Sequence, residues 1–146
     1  MTLQILVPLD DSPQSMAAVK HAVAHYPGAD ITILTVIEYT EKKTSLTRGG
    51  RGRDEGWYAA EREAAEDLLD EATDTAANHD GDVSTVVKDG SPSSKILNYV
   101  TGHAIDIVVM GFRKRSPTGK ALFGSTAQDV LLSVECPVVT VPNPES

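Results

Sequence analysis

LQILVPLDDSP, residues 3–13, sets a mainly apolar run directly against two aspartates, a serine and a proline. A run of that length with no polar alternation reads as a strand buried on both faces, Leu3–Leu9. Asp10, Asp11, Ser12 and Pro13 then supply turn and helix-start chemistry, with Asp11 or Ser12 as the cap. From Ser15 to Tyr26 the apolar positions Met16, Val19, Val23 and Tyr26 recur at helical spacing, and Pro27-Gly28 stops that helix. ITILTVI, residues 31–37, is rich in β-branched residues and predicts a second strand.

The same alternation continues outward. Residues 38–56 carry Gly49, Gly50, Gly52 and Gly56 among charges and read as a long loop. Trp57–Asn78 predicts an amphipathic helix with Trp57, Ala60, Ala64, Leu68, Leu69, Ala72 and Ala76 on one face. Asp82–Val87 predicts a third strand. A helix follows from Ser91 or Pro92 to about Thr101, ended by Gly102. Ile105–Met110 predicts a fourth strand, Gly111–Phe123 a loop, Gly124–Val134 the last helix and Pro137–Val141 the last strand. Strands alternating with helices argue for a doubly wound parallel sheet with helices on both faces. Residues 1–146 show no repeat or linker and read as a single domain. In such a sheet ligands bind beyond the carboxyl ends of the strands, where the strand order reverses.

Composition bounds the function. Hydrophobic residues make up 40% and charged residues 23%, which fits a globular chain with its own core. No apolar run approaches the ~20 residues of a membrane span. The first residues lack the basic region and cleavage site of a signal peptide, so a cytoplasmic protein without membrane partners is expected. The lone Cys136 fits a reducing compartment and, with no His or basic neighbour in sequence, is expected to be inert. The net charge of −8 argues against a nucleic-acid partner. RGGRGR, residues 48–53, resembles an RGG RNA-binding segment, but a single copy in an acidic protein does not reverse that reading.

The charge is unevenly spread. Lys42, Lys43, Arg48, Arg51 and Arg53 against Glu41 give residues 41–53 a net +4. Arg113, Lys114, Arg115 and Lys120 give residues 113–120 another +4, so the remainder is −16. Singly, each is an ordinary solvated loop. Together at one sheet edge they would draw anions into one crevice.

The loop after strand four reads GFRKRSPTGKALFGST, residues 111–126. Gly124 has no Cβ to hold an anion away, and Ser125 and Thr126 open a helix whose first N–H groups lack intrahelical acceptors. The helix dipole favours negative charge there. An ordinary N-cap has the same local sequence, so a phosphate cradle and a plain turn both remain open on this pattern alone. It is not a Walker loop: Ala121 replaces the hydroxyl residue after Gly119-Lys120, and position 114 is not glycine. Asp10 and Asp11 are candidates for Mg2+ on a phosphate, beside their capping role. His21 and His25 stand four apart on a helix, as metal pairs do, with no third ligand in view. His79 and His103 fall at helix ends, where a charged imidazole suits the dipole.

Several stretches together resemble the nucleotide-binding branch of the universal stress protein family. They are the opening ILVPLD of residues 5–10, ILTV of 33–36, VVMG of 108–111 and CPVVTVP of 136–142. The family motif is Gly, two residues, Gly, nine residues, Gly and then Ser or Thr. Gly111, the nine residues 115–123, Gly124 and Ser125 fit it, while Lys114 stands where the second glycine belongs. The resemblance implies a five-stranded parallel sheet of order 3-2-1-4-5. It implies ATP as the ligand, with Mg2+ as its companion ion, and a homodimer joined through the last strand, Pro137 to Val141. It sets the nucleoside on Pro8, Leu9 and Asp10, the base on the backbone of Val36, and the ribose and first phosphate on Met110 and Gly111. The phosphates fall on Gly124, Ser125 and Thr126, with Arg113 and Lys114 as cations. Lys114 either strains or fills the turn or donates a charge-assisted bond to phosphate. The expected function is thus a nucleotide-binding regulatory module of the stress response. The alternative is an interaction module of the same fold that no longer binds nucleotide. An enzyme is not expected, since no positioned general base or arginine finger is visible; slow ATP hydrolysis is the one activity left open.

Overall fold

The computed structural model describes residues 2–38, 50–113 and 124–142, with side chains in the second helix described from Gly56 onward. Its elements run β1 (Gln4–Pro8), α1 (Pro13–His25), β2 (Asp30–Glu38), α2 (Gly50–Thr75), β3 (Val83–Gly90), α3 (Pro92–Gly102), β4 (Ile107–Phe112), α4 (Ser125–Ser133) and β5 (Val138–Pro142). All five strands are parallel, in the order β3-β2-β1-β4-β5. This is the doubly wound topology expected from the sequence.

Side chains alternate between the two faces of the sheet, and each face has its own core. Ile5, Val7 and Leu9 of the first strand join Ile31, Ile33 and Val109 under α1 and α2. Leu6, Leu34, Val108 and Met110 pack on the other face under Ile96 and Val100 of α3 and Ala127 and Val130 of α4. The helices on both faces cover the inner strands, which is why those read as continuous apolar runs, while the edge strand β3 leaves Ser84, Thr85, Lys88 and Asp89 exposed.

Four readings need correction. Of the loop expected over 38–56, Glu38 belongs to β2 and the residues from Gly50 onward to α2, which begins there rather than at Trp57, while residues 39–49 lie outside the described residues. Once a packed segment has nucleated a helix, each added residue gains a hydrogen bond, and exposed glycines lower that gain without abolishing it. The buried stripe of α2 is Ala65, Leu69, Ala72 and Ala76, while Ala60 and Ala64 are exposed. Leu69, Ala72 and Ala76 are the residues expected, and Ala65 takes the place of Ala64. In α1 the buried residues are Ser15, Ala18, Val19 and Ala22, with Met16 and Val23 at the margin. Small residues bring this helix close to the sheet. Finally, Gly102 lies inside α3. The residue with left-handed backbone is Ala104 (φ 51°), and the Ile105 N–H reaches back to the Val100 carbonyl at 3.3 Å to close the helix.

No helix among the described residues is long and apolar enough to cross a membrane.

Candidate functional site

The site starts from a proline in a central strand. Leu9 donates its N–H to Leu34 of β2 at 2.8 Å. By alternation, the N–H of residue 8 would point the other way, toward β4. Pro8 has none to offer. The β1–β4 ladder accordingly holds only Ile5 with Ile107 and Leu6 with Val108. The ladders on either side run on to Pro8–Leu34 and to Phe112–Pro142. The two strands part at the point where the strand order reverses, and a crevice of about 590 Å³ opens above them. That volume suits a small organic ligand.

The β1–α1 turn forms one wall. Asp10 accepts on Oδ1 from the Ser12 N–H at 2.9 Å and from the Ser12 hydroxyl. Ser12 caps α1 by accepting from the Ser15 N–H at 3.3 Å. The buried Ser15 hydroxyl accepts from the Asp10 N–H at 3.1 Å and donates to the Asp10 carbonyl at 2.8 Å. Thr35, also buried, donates to the Leu9 carbonyl at 2.8 Å. Ser15 and Thr35 thus fix the backbone that presents Asp10. Sequence reasoning missed both, because a single hydroxyl inside an apolar pattern carries no periodic signal.

Gly111 and Phe112, expected in a loop, extend β4 instead and pair with Val141 and Pro142. Gly111 is glycine for a reason inside the protein. A Cβ there would collide with the carbonyl group of Gln14 and lie 2.8 Å from the Ser15 nitrogen. The start of α1 therefore presses directly onto β4. Gly124 is different. Its φ of −63° is ordinary, and a Cβ would meet nothing within 4 Å. It occupies the N-cap of α4 with no side-chain cap, and the first intrahelical bond to it is Gln128 N–H to the Gly124 carbonyl at 2.9 Å. The N–H groups of Ser125, Thr126 and Ala127 precede that bond, and among the described residues none has an acceptor.

Of the eleven residues expected at the site, ten line this crevice: Pro8, Leu9, Asp10, Val36, Met110, Gly111, Arg113, Gly124, Ser125 and Thr126. Lys114 lies outside the described residues, as do most of the two basic segments. Ser12, Glu38, Leu34 and Ile96 line it as well and were not singled out as ligand contacts, and so does Asp11, a candidate only through Mg2+. Leu34, Ile96 and Met110 give an apolar floor, and the start of α4 gives a polar end with a positive dipole. The described wall carries Asp10, Asp11 and Glu38 against Arg113, so an anionic ligand needs cations from elsewhere. Those three carboxylates do not gather into a metal cage: no cluster of three or more His, Cys, Asp or Glu able to hold a metal occurs among the described residues. Asp10 and Asp11 fit the lesser role of meeting a phosphate-bound Mg2+, which keeps several waters.

The remaining candidates fall elsewhere. Burial pushes the Cys136 thiol above its ordinary value, which disfavours the reactive thiolate. His103 caps α3 with Nδ1 donating to the Tyr99 carbonyl at 3.1 Å. His79 does not serve the end of α2; its Nε2 bonds the Ala29 carbonyl at 2.7 Å and ties that corner to β2.

The model of the universal stress protein family matches residues 1–142. The chain belongs to the universal stress protein family. Universal stress protein MJ0577 of Methanocaldococcus jannaschii is 28% identical over 154 residues, covering 97% of this chain and 95% of its own length. The structure of universal stress protein UspA from Lactobacillus plantarum superimposes with a TM-score of 0.76 at 25% identity, covering 95% of this chain and 97% of that one. A universal stress protein family protein from Arabidopsis thaliana, solved with AMP bound, has a TM-score of 0.67 at 17% identity, with 96% and 91% covered.

Proposed function

We propose that this universal stress protein binds an adenine nucleotide, with ATP as the leading ligand, in the crevice between β1 and β4. One observation carries the reading: expected residues from four separate stretches of the chain, 8–10, 36, 110–113 and 124–126, meet around a single crevice that has an apolar floor and a helix start without a side-chain cap. The base sits against Val36 and the apolar floor, and Asp10 reaches the nucleoside. The phosphates lie on Gly124, Ser125 and Thr126, where unpaired N–H groups and a helix dipole meet negative charge. Arg113 and Lys114 offset the wall carboxylates, and Mg2+ on the phosphates does the same. A relative of the same fold holds AMP, which supports a nucleotide as the ligand class.

Gly124→Ala tests the reading cleanly. Among the described residues its Cβ meets nothing within 4 Å, so the melting temperature without ligand is expected to fall by no more than the few degrees that alanine costs at an N-cap, while ATP affinity falls at least about tenfold by calorimetric titration. Lys114→Gly in the same titration is expected to weaken ATP more than AMP. If the wild-type protein carries no nucleotide and binds none, the crevice is vestigial and the chain acts as an interaction module. The role is regulatory binding rather than turnover, and phosphate release from ATP measures the difference.

The homodimer contact is proposed on β5, the outer strand of the sheet, whose Val138, Val139 and Thr140 are half-buried and which pairs only with β4 among the described strands. Edge-to-edge pairing satisfies its open backbone groups. Sedimentation at micromolar concentration is expected to give a dimer; a monomer there removes this contact.

A further inference from the structure

The C-terminal half of α1 carries a feature that the nucleotide crevice does not use. His21 and His25 lie one turn apart on the helix, with ring centroids 4.2 Å apart and ring planes inclined by 22°. The Nδ1–H of His25 donates to the His21 carbonyl at 3.2 Å. That bond fixes the tautomer and leaves the Nε2 lone pair of an exposed side chain facing outward. Tyr26 sets its ring edge toward His21 at 6.3 Å and limits its freedom on that side. Two nitrogens on one tetrahedral ion stand roughly 3.3 Å apart when each bond is about 2.0–2.1 Å. The rings lie face to face at 4.2 Å, so a shared ion requires the imidazoles to swing out of the stack about χ1 and χ2, on side chains that their i,i+4 spacing keeps on one face of the helix.

We propose that His21 and His25 form a two-ligand binding site for a borderline transition-metal ion, Cu2+, Ni2+ or Zn2+, with water filling the remaining positions. Imidazole pairs select these ions over Mg2+ and Ca2+, which want oxygen. The site is separate from the crevice. Ser12, Gln14 and Ser15 at the start of α1 line the crevice, whereas His25 is the helix's last residue, roughly 15–20 Å further along at 1.5 Å per residue. Metal binding here neither needs a nucleotide nor competes with one.

The test uses tag-free protein and NiCl2 or CuCl2 titrated at pH 7.5, followed by calorimetry and by the histidine ring signals in NMR. One ion per chain is expected, with the His21 and His25 signals affected first and those of His79 and His103 later or not at all. His25→Ala, at an exposed position, and His21→Gln are each expected to weaken binding by about tenfold or more, because each removes one arm of a chelate. Lowering the pH is expected to weaken binding, because protons compete with the ion for imidazole nitrogens. His103→Ala is the control and is expected to bind as the wild type does. Equal affinity in the wild type and His25→Ala overturns the proposal, as does a first response at His79 or His103. A normal far-ultraviolet spectrum for each variant separates loss of the site from loss of the fold.

Discussion

Gly111 and Gly124 are two glycines of one motif with unlike reasons for being there. At Gly111 the backbone of Gln14 fills the space a Cβ would take. Gly111→Ala is therefore expected to cost about 1–3 kcal/mol of stability, toward the upper end because the obstacle is backbone and cannot rotate away. Urea unfolding measures it, and an unchanged midpoint would show that α1 can back off from β4. At Gly124 the described residues leave the space empty and the backbone is ordinary, so a penalty beyond the modest cost of alanine at an N-cap belongs to a ligand. The motif alone cannot tell these cases apart, because both glycines match the same pattern. Asp10 was legible from its place at the end of a strand. Ser15 and Thr35, which hold Asp10's backbone in place, were not, since their partners are carbonyl and amide groups set by the tertiary fold.

At the scale of elements, the strands and helices followed from apolar runs and turn residues, with most ends moved by up to three residues. The larger shift is α2. Glycines among charges argued for a loop up to residue 56, yet the helix runs from Gly50. At Gly56 a Cβ would meet nothing, so this glycine marks neither a turn nor a close approach, and its composition misled. The fully buried stripe of the helix begins at Ala65 and runs through Leu69, Ala72 and Ala76 against the sheet, with Trp57 and Tyr58 half-buried ahead of it. Helix formation at its start thus rests on propagation from that packed segment. Pro8 is the converse case. A proline in a central strand breaks the usual preference, and it stands where the β1–β4 ladder ends. What looks like a fault in the strand is the device that opens the crevice.

For the whole molecule, the strand order follows from right-handed crossovers and from the way β1 is flanked by β2 and β4. The charge map was legible as a sum but not as a surface. Two segments of +4 on a −16 background predicted a cationic crevice, whereas its described wall carries three carboxylates and one arginine. The two views agree only if the basic segments and the ligand's own Mg2+ complete the site. This makes affinity sensitive to salt and to divalent ions together.

The short ladder between β1 and β4 also bears on how the protein breathes. Two bonded register pairs join the halves of the sheet there, against five to eight at each of the other three seams. Local opening is governed by the weakest seam, so amide hydrogens of Val109 to Phe112 should exchange with solvent faster than those in the middle of β2. A nucleotide that touches Asp10 on one half and Thr126 on the other would act as the missing rungs. Hydrogen–deuterium exchange with and without AMP is expected to show slowing on both sides of the crevice at once. Slowing confined to one side would mean that the ligand rests on a lip of the crevice and leaves the seam as it was.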